Sequence, residues 1–207
     1  LLLMTIKKIF FFEASIINFF IAIFFLITNS NAQEENSKYF SKDEGVLSIM
    51  YHRFEENKYP STNIIIDIFK NHLEIIKNSK FEFYHPKDFE DDFEKPKKQK
   101  KILITIDDAF KSFYDNAWPI LKKNQIPFLL FVSTEPVGKK GYMTWKQIKE
   151  IEKSGFVVIG HHSHSHGYLI DKEYQEFVLD IQKADKIFLN EIGYIPSLFS
   201  YPFGEYS

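Results

Sequence analysis

Five short apolar runs, uncharged and rich in β-branched and aromatic residues, alternate along this chain with stretches whose apolar residues recur at helical spacing. The runs are Val46 to Tyr51, Ile102 to Ile106, Phe128 to Val132, Val157 to Ile159 and Leu198 to Tyr201. Runs of this kind read as strands buried on both faces, as in a parallel sheet. Between them, three groups each line one face of a helix: Ile65, Phe69, Leu73 and Ile76; Ala117, Ile120 and Leu121; Phe177, Ile181, Ala184 and Phe188. Thr144-Trp145-Lys146-Gln147 has the form of a capping box, opening a helix that runs to about Ser154 and stops at Gly155. Strands alternating with helices imply crossover connections, so the expected class is α/β, either a barrel or an open sheet.

Composition narrows the partners. A chain of 207 residues that is 44% hydrophobic can bury the core of one domain, expected over residues 46–207. A formal net charge of -2 gives no basis for a nucleic-acid partner, which calls for a clustered basic surface. Lys95, Lys97, Lys98, Lys100 and Lys101 read as a solvated loop. The chain has no cysteine, so disulfides and thiolate ligands are excluded and any metal must sit on nitrogen and oxygen donors.

Residues 1–32 read as an export signal. Met4 reads as a start, followed by Lys7 and Lys8, an apolar stretch from Ala14 to Ile27, and Ser30-Asn31-Ala32 with small residues where a signal peptidase reads. Cleavage is expected before Gln33, and the competing reading is a retained anchor, weakened by Glu13 and Asn18. Residues 33–45 form a polar linker. The protein is therefore expected in the periplasm, in the cell envelope or secreted, with membrane attachment if the leader is kept.

In either α/β architecture, the loops leaving the C-terminal strand ends form the active face. Asp107 and Asp108 follow one strand, and His161, His162, His164 and His166 follow another, so both groups point to one rim. Four imidazoles beside paired carboxylates suit a divalent metal with an open position for water. On spacing, His162 and His166 are the best pair, because a single turn brings positions four apart together. His162 with His164 serves only if the run stays extended. The bland alternative is an exposed His-rich turn.

Thr105-Ile106-Asp107-Asp108-Ala109, His162-Ser163-His164-Ser165-His166 and Tyr201-Pro202-Phe203-Gly204 resemble, in order and separation, three motifs of the polysaccharide deacetylases, a carbohydrate esterase family. Tyr51-His52-Arg53-Phe54 is similar to an element of exported bacterial members, and the resemblance runs from about Val46 to the last residue. It implies an irregular (β/α) barrel and metal-dependent removal of N-acetyl groups from an extracytoplasmic polysaccharide, releasing acetate and a free amino sugar. It implies zinc on Asp108, His162 and His166, with Asp107 as general base. Phe203 would supply a backbone N–H to the oxyanion, in a substrate-facing loop with Tyr201 and Pro202. A carbohydrate-binding or assembly protein that keeps the fold without turnover is the main alternative. A metal-dependent amidase on a small non-glycan amide is a third.

The chain departs from the family pattern at several points. Ala109 stands in place of a glycine, which matters if that backbone needs positive φ. His161 replaces a common asparagine and is expected to support the site or to face solvent. Ser200 replaces an arginine that orients the catalytic aspartate. The motif carrying the family's general acid, Leu-x-x-His, does not occur before Ser207, so the chain reads as a C-terminally truncated member. Five strands are too few to close a barrel of eight, so unpaired sheet edges, poor solubility and slow turnover are expected of it. His72 and His85 read as packing or surface residues, and His52 is the least certain of the three.

Overall fold

The structure is a computed structural model that describes residues 45–94 and 100–205. The expected leader, and all of the linker but Gly45, lie outside the described residues. The strands are β1 (Val46–Tyr51), β2 (Arg53–Phe54), β3 (Asn63–Ile64), β4 (Glu82–Phe83), β5 (Lys101–Ile106), β6 (Phe128–Val132) and β7 (Val157–His161). The helices are α1 (Ile66–Lys77), α2 (Phe89–Glu94), α3 (Trp118–Asn124), α4 (Trp145–Glu152) and α5 (Tyr174–Ile192). The architecture is α/β, with a five-stranded sheet in the order β1-β5-β6-β7, β4 also pairing β5, and a separate β2-β3 pair. Every strand pairing is parallel.

The reason is visible in the runs themselves. All five residues of β6 are buried, as are the last five of β5, and strands with no polar face must be covered on both sides by the helices between them. Phe69, Leu73 and Ile76 of α1, Ile148 and Ile151 of α4, and Ala184 and Phe188 of α5 are buried. Much of the core is aromatic, and its rings meet edge to face: Phe54 with Phe69 at 5.0 Å between centroids, and Phe113 with Phe128 at 5.4 Å. The capping box of α4 is formed, with Thr144 and Gln147 each bonding the other's backbone N–H, and Gly155 follows at φ 87°.

Register decides where the site lies. Tyr51 pairs with Ile106, Ile106 with Leu130, and Val132 with His161, so β1, β5, β6 and β7 end at one edge. The residues that follow these ends, His52, Asp107, Ser133 and His162, therefore emerge together.

Three expectations change. β1, expected to be buried on both faces, is buried only at Tyr51. Leu198 to Tyr201 is not a strand but a single parallel bridge, His161 to Phe199, with hydrogen bonds from the His161 N–H to the Leu198 carbonyl (2.8 Å) and from the Ser200 N–H to the His161 carbonyl (3.0 Å). Pro196 and Pro202 bracket the run, and neither can donate to a ladder. The helix expected from Ala117 begins only at Trp118, because the preceding Phe113–Ala117 is one π-helical turn. Among the described residues no helix is long and apolar enough to cross a membrane.

Gly160 in β7 packs its backbone against a ring: a Cβ there would lie 2.5 Å from Phe131 Cδ1. Gly160→Ala should therefore force that buried ring aside and lower stability by about 1–3 kcal/mol in chemical denaturation.

Candidate metal centre

Asp107 and Asp108 form the turn leaving β5, and both are buried. The turn puts two consecutive non-glycine residues at positive φ, Asp108 at 70° and Ala109 at 55°. Position 109 thus does need the left-handed conformation, and alanine holds it there at a cost of about 1–2 kcal/mol that glycine would avoid. The turn carries the Asp108 carboxylate to the histidines: Oδ1 lies 2.9 Å from His166 Nε2 and 3.6 Å from His162 Nε2. One donor atom from each of Asp108, His162 and His166 lies within 4.8 Å of the other two, a group that could hold a metal ion.

The tautomer suits that use. His162 Nδ1 sits 2.8 Å from the Ser200 carbonyl, which has only lone pairs to offer, so Nδ1 carries the proton and Nε2 presents its lone pair to Asp108. Burial pushes the His162 pKa down to about 4, keeping the ring neutral at neutral pH. His166 differs: burial lowers its pKa, but the hydrogen bond and charge of Asp108 outweigh burial and raise it. Burial would raise the Asp108 pKa, yet His166 and then His162 hold it below the usual carboxylate range. The histidines act less on Asp107: burial followed by the Asp108 charge lifts its pKa to about 7 against a smaller opposing pull from His166. Its Oδ2 is 4.0 Å from His162 Nε2, and its buried Oδ1 has no hydrogen-bond partner within the protein. An orphaned buried carboxylate oxygen beside an N, N, O donor set fits a site made for a cation and a water.

His162 and His166 are not brought together by a helical turn. Ser163 and His166 have φ of 66° and 54°, and the intervening loop folds back so that the two rings stand 4.9 Å apart. Buried backbone must be satisfied, and here much of it is met from β6 and the residues after it. The His162 N–H donates to the Val132 carbonyl, Ser133 Oγ donates to the His162 carbonyl, and the N–H groups of Thr134 and Glu135 donate to the carbonyls of Ser163 and His164. Within the loop, the Ser163 N–H donates to His161 Nδ1 (3.0 Å) and the His166 N–H to Ser163 Oγ (3.1 Å).

The other histidines are placed apart from the donor set. His161 does not face solvent; it is buried beneath the loop, with Nε2 3.3 Å from Asp185 Oδ1. His164 turns away to Thr134, its Nδ1 2.8 Å from Oγ1. His72 bonds the Tyr51 hydroxyl, and His85 accepts the Lys87 N–H at the start of a short 3-10 turn. His52 is half-buried and lines the cleft over the carboxylates; burial lowers its pKa against an opposing pull from Asp108.

That cleft has a volume of about 1020 Å³. One part of its wall is Tyr201 and Phe203, both exposed, with Pro202 buried between them. Phe203 has φ of 63°, its ring meets His166 edge to face at 4.9 Å, and it stacks flat on Tyr168 at 3.8 Å. Another part holds Arg53, whose guanidinium lies 4.0 Å from the Tyr59 ring centroid and 3.4 Å from that of Phe110 while pairing with Glu56. Motif reading passes over Tyr59 and Phe110, which carry no spacing signal, and reaches Arg53 only within Tyr51-His52-Arg53-Phe54.

The family model for polysaccharide deacetylases matches residues 94–207. A Bacillus subtilis protein named as a polysaccharide deacetylase is 27% identical over 161 residues, covering 77% of this chain, and the chain spans only 57% of that protein's length. A poly-β-1,6-N-acetyl-D-glucosamine N-deacetylase of Staphylococcus epidermidis is 25% identical, covering 85% of this chain and 71% of that one. Among solved structures, IcaB from Ammonifex degensii superposes with a TM-score of 0.73 at 29% identity, covering 79% of this chain and 76% of the other.

The raised pKa of Asp107 has a signed consequence for stability. This carboxyl holds its proton more tightly folded than unfolded, so its contribution is greatest at low pH and is lost as pH rises through about 7. In metal-free protein held in chelator, wild type should lose about 1–3 kcal/mol relative to Asp107→Asn between pH 5 and 7.5. Urea unfolding of both proteins at each pH measures it, and a constant difference would mean that Asp107 titrates normally.

Proposed function

Because the chain belongs to the polysaccharide deacetylase family, we propose that it removes N-acetyl groups from an N-acetylated polysaccharide outside the cytoplasm, releasing acetate and free amino groups. Asp108, His162 and His166 would hold a divalent cation, with zinc the best match to two imidazoles and one carboxylate. Bound there, the ion supplies Lewis-acid polarisation of the acetamide carbonyl and a lowered pKa for water.

The observation that carries the reading is the division between neighbouring carboxylates. Asp108 turns Oδ1 to His166 and His162 as a ligand would, while Asp107 keeps a buried oxygen with no hydrogen-bond partner within the protein, where it can take a proton. Asp107 takes the proton of the attacking water. The backbone N–H of Phe203, in the loop packed against His166, donates to the developing oxyanion. His52 lines the same cleft and is the first residue to test as proton donor to the departing amine. A protein that only bound carbohydrate or metal would have no use for a second buried carboxylate beside the donor set. A small amide would leave most of the aromatic-walled cleft empty. The extracytoplasmic setting rests on the leader reading and on the S. epidermidis relative, which is named for an N-acetylglucosamine polymer.

Paired substitutions test the assignment. Asp108→Asn should lose zinc, because a neutral amide is a poorer ligand. Asp107→Asn should keep it while acetate release from an N-acetylated oligosaccharide falls about 10²–10⁴-fold. Metal content and acetate are measured on the same samples, and equal metal loss in both variants would remove the base role. His52→Ala tests the donor separately: zinc retained with slowed release supports it, and unchanged release excludes it.

A further inference from the structure

We propose that Asp180 is a positioning residue that fixes the loop carrying His162 and His166, and thereby sets the affinity of the metal centre. The proposal rests on the reading of Asp108, His162 and His166 as ligands. Asp180 lies in α5, well beyond the loop in sequence, and its side chain is buried. Its carboxylate accepts the N–H of His164 on Oδ2 (2.8 Å) and the N–H of Ser165 on both oxygens (3.2 Å to Oδ1, 3.4 Å to Oδ2). These bonds go to backbone N–H groups and not to any of the three donor side chains.

These two amides are the middle of the His162–His166 loop. The residues flanking them, Ser163 and His166, are both at positive φ, a conformation that side-chain-bearing residues keep only when their surroundings impose it. A buried carboxylate taking both central N–H groups is such an imposition. It also leaves the loop no cheap way to relax, since released amides would be buried without acceptors. Burial works against the ionisation of Asp180, but donors from Ser165 and His164 outweigh it and hold its pKa below the usual range, so the anchor is charged. Charge-assisted bonds of this kind are the strong ones. Supporting groups that orient metal ligands commonly change affinity by 10–100-fold when removed.

The test uses the full 207-residue chain with Zn²⁺ as the probe. Asp180→Ala should weaken zinc binding about 10–100-fold in a competition titration, and Asp180→Asn, which keeps one acceptor, should fall between it and wild type. Ile181→Ala, the adjacent residue on the same helix, should lower the melting temperature while leaving the zinc affinity within about twofold; this separates positioning from helix packing. Zinc affinity unchanged in Asp180→Ala would overturn the proposal. Should Asp180→Ala fail to fold, the titration of Asp180→Asn decides the matter in the same way. Hydrogen exchange in metal-free protein reads the anchor independently of the metal: the His164 and Ser165 amides should exchange at least tenfold faster in either Asp180 variant. Unchanged exchange would overturn the anchor itself, whereas faster exchange in a chain whose wild type binds no zinc would sink the metal reading and leave the anchor standing.

Discussion

Two adjacent carboxylates buried at the end of β5 cannot both be charged unless positive charge stands close by. Around them His166 shares a proton with Asp108, His162 keeps its Nε2 lone pair turned inward, and Asp107 is driven toward its protonated form. The Ser200 carbonyl that fixes the His162 tautomer comes from the segment bridged to β7, so this arrangement draws on the far side of β7 as well as on β5.

The strands were legible where burial on both faces left no polar residue to confuse the pattern, as in β5 and β6. The two-residue strands β2, β3 and β4 are too short to show any period. Leu198 to Tyr201 has strand composition, but its bracketing prolines limit it to one bridge.

At the site, spacing pointed to His162 and His166 and the family resemblance added Asp108, and the fold brings their donor atoms together. The means of bringing them together was not legible. A four-residue spacing suggests one turn, whereas the chain uses two left-handed residues and a set of side-chain acceptors. Asp180 gave no sign in the sequence, because one acid in an amphipathic helix is ordinarily a solvated one. Its partners are backbone amides, which have no sequence signature at all. Ala109 could be read only conditionally, since the sign of φ at that position is a property of the folded turn.

The donors come from the ends of β5 and β7, and β6 lies between these strands. No pair of neighbouring strands can make the site. A cation held by all three donors would therefore need β6 in place between them, and a one-residue slip of that strand would displace the imidazoles along the sheet relative to the carboxylate by a strand step, about 3.3 Å. On the proposed reading, metal uptake and completion of the central sheet would be one cooperative event, since a half-assembled sheet would offer a cation only scattered, weak donors.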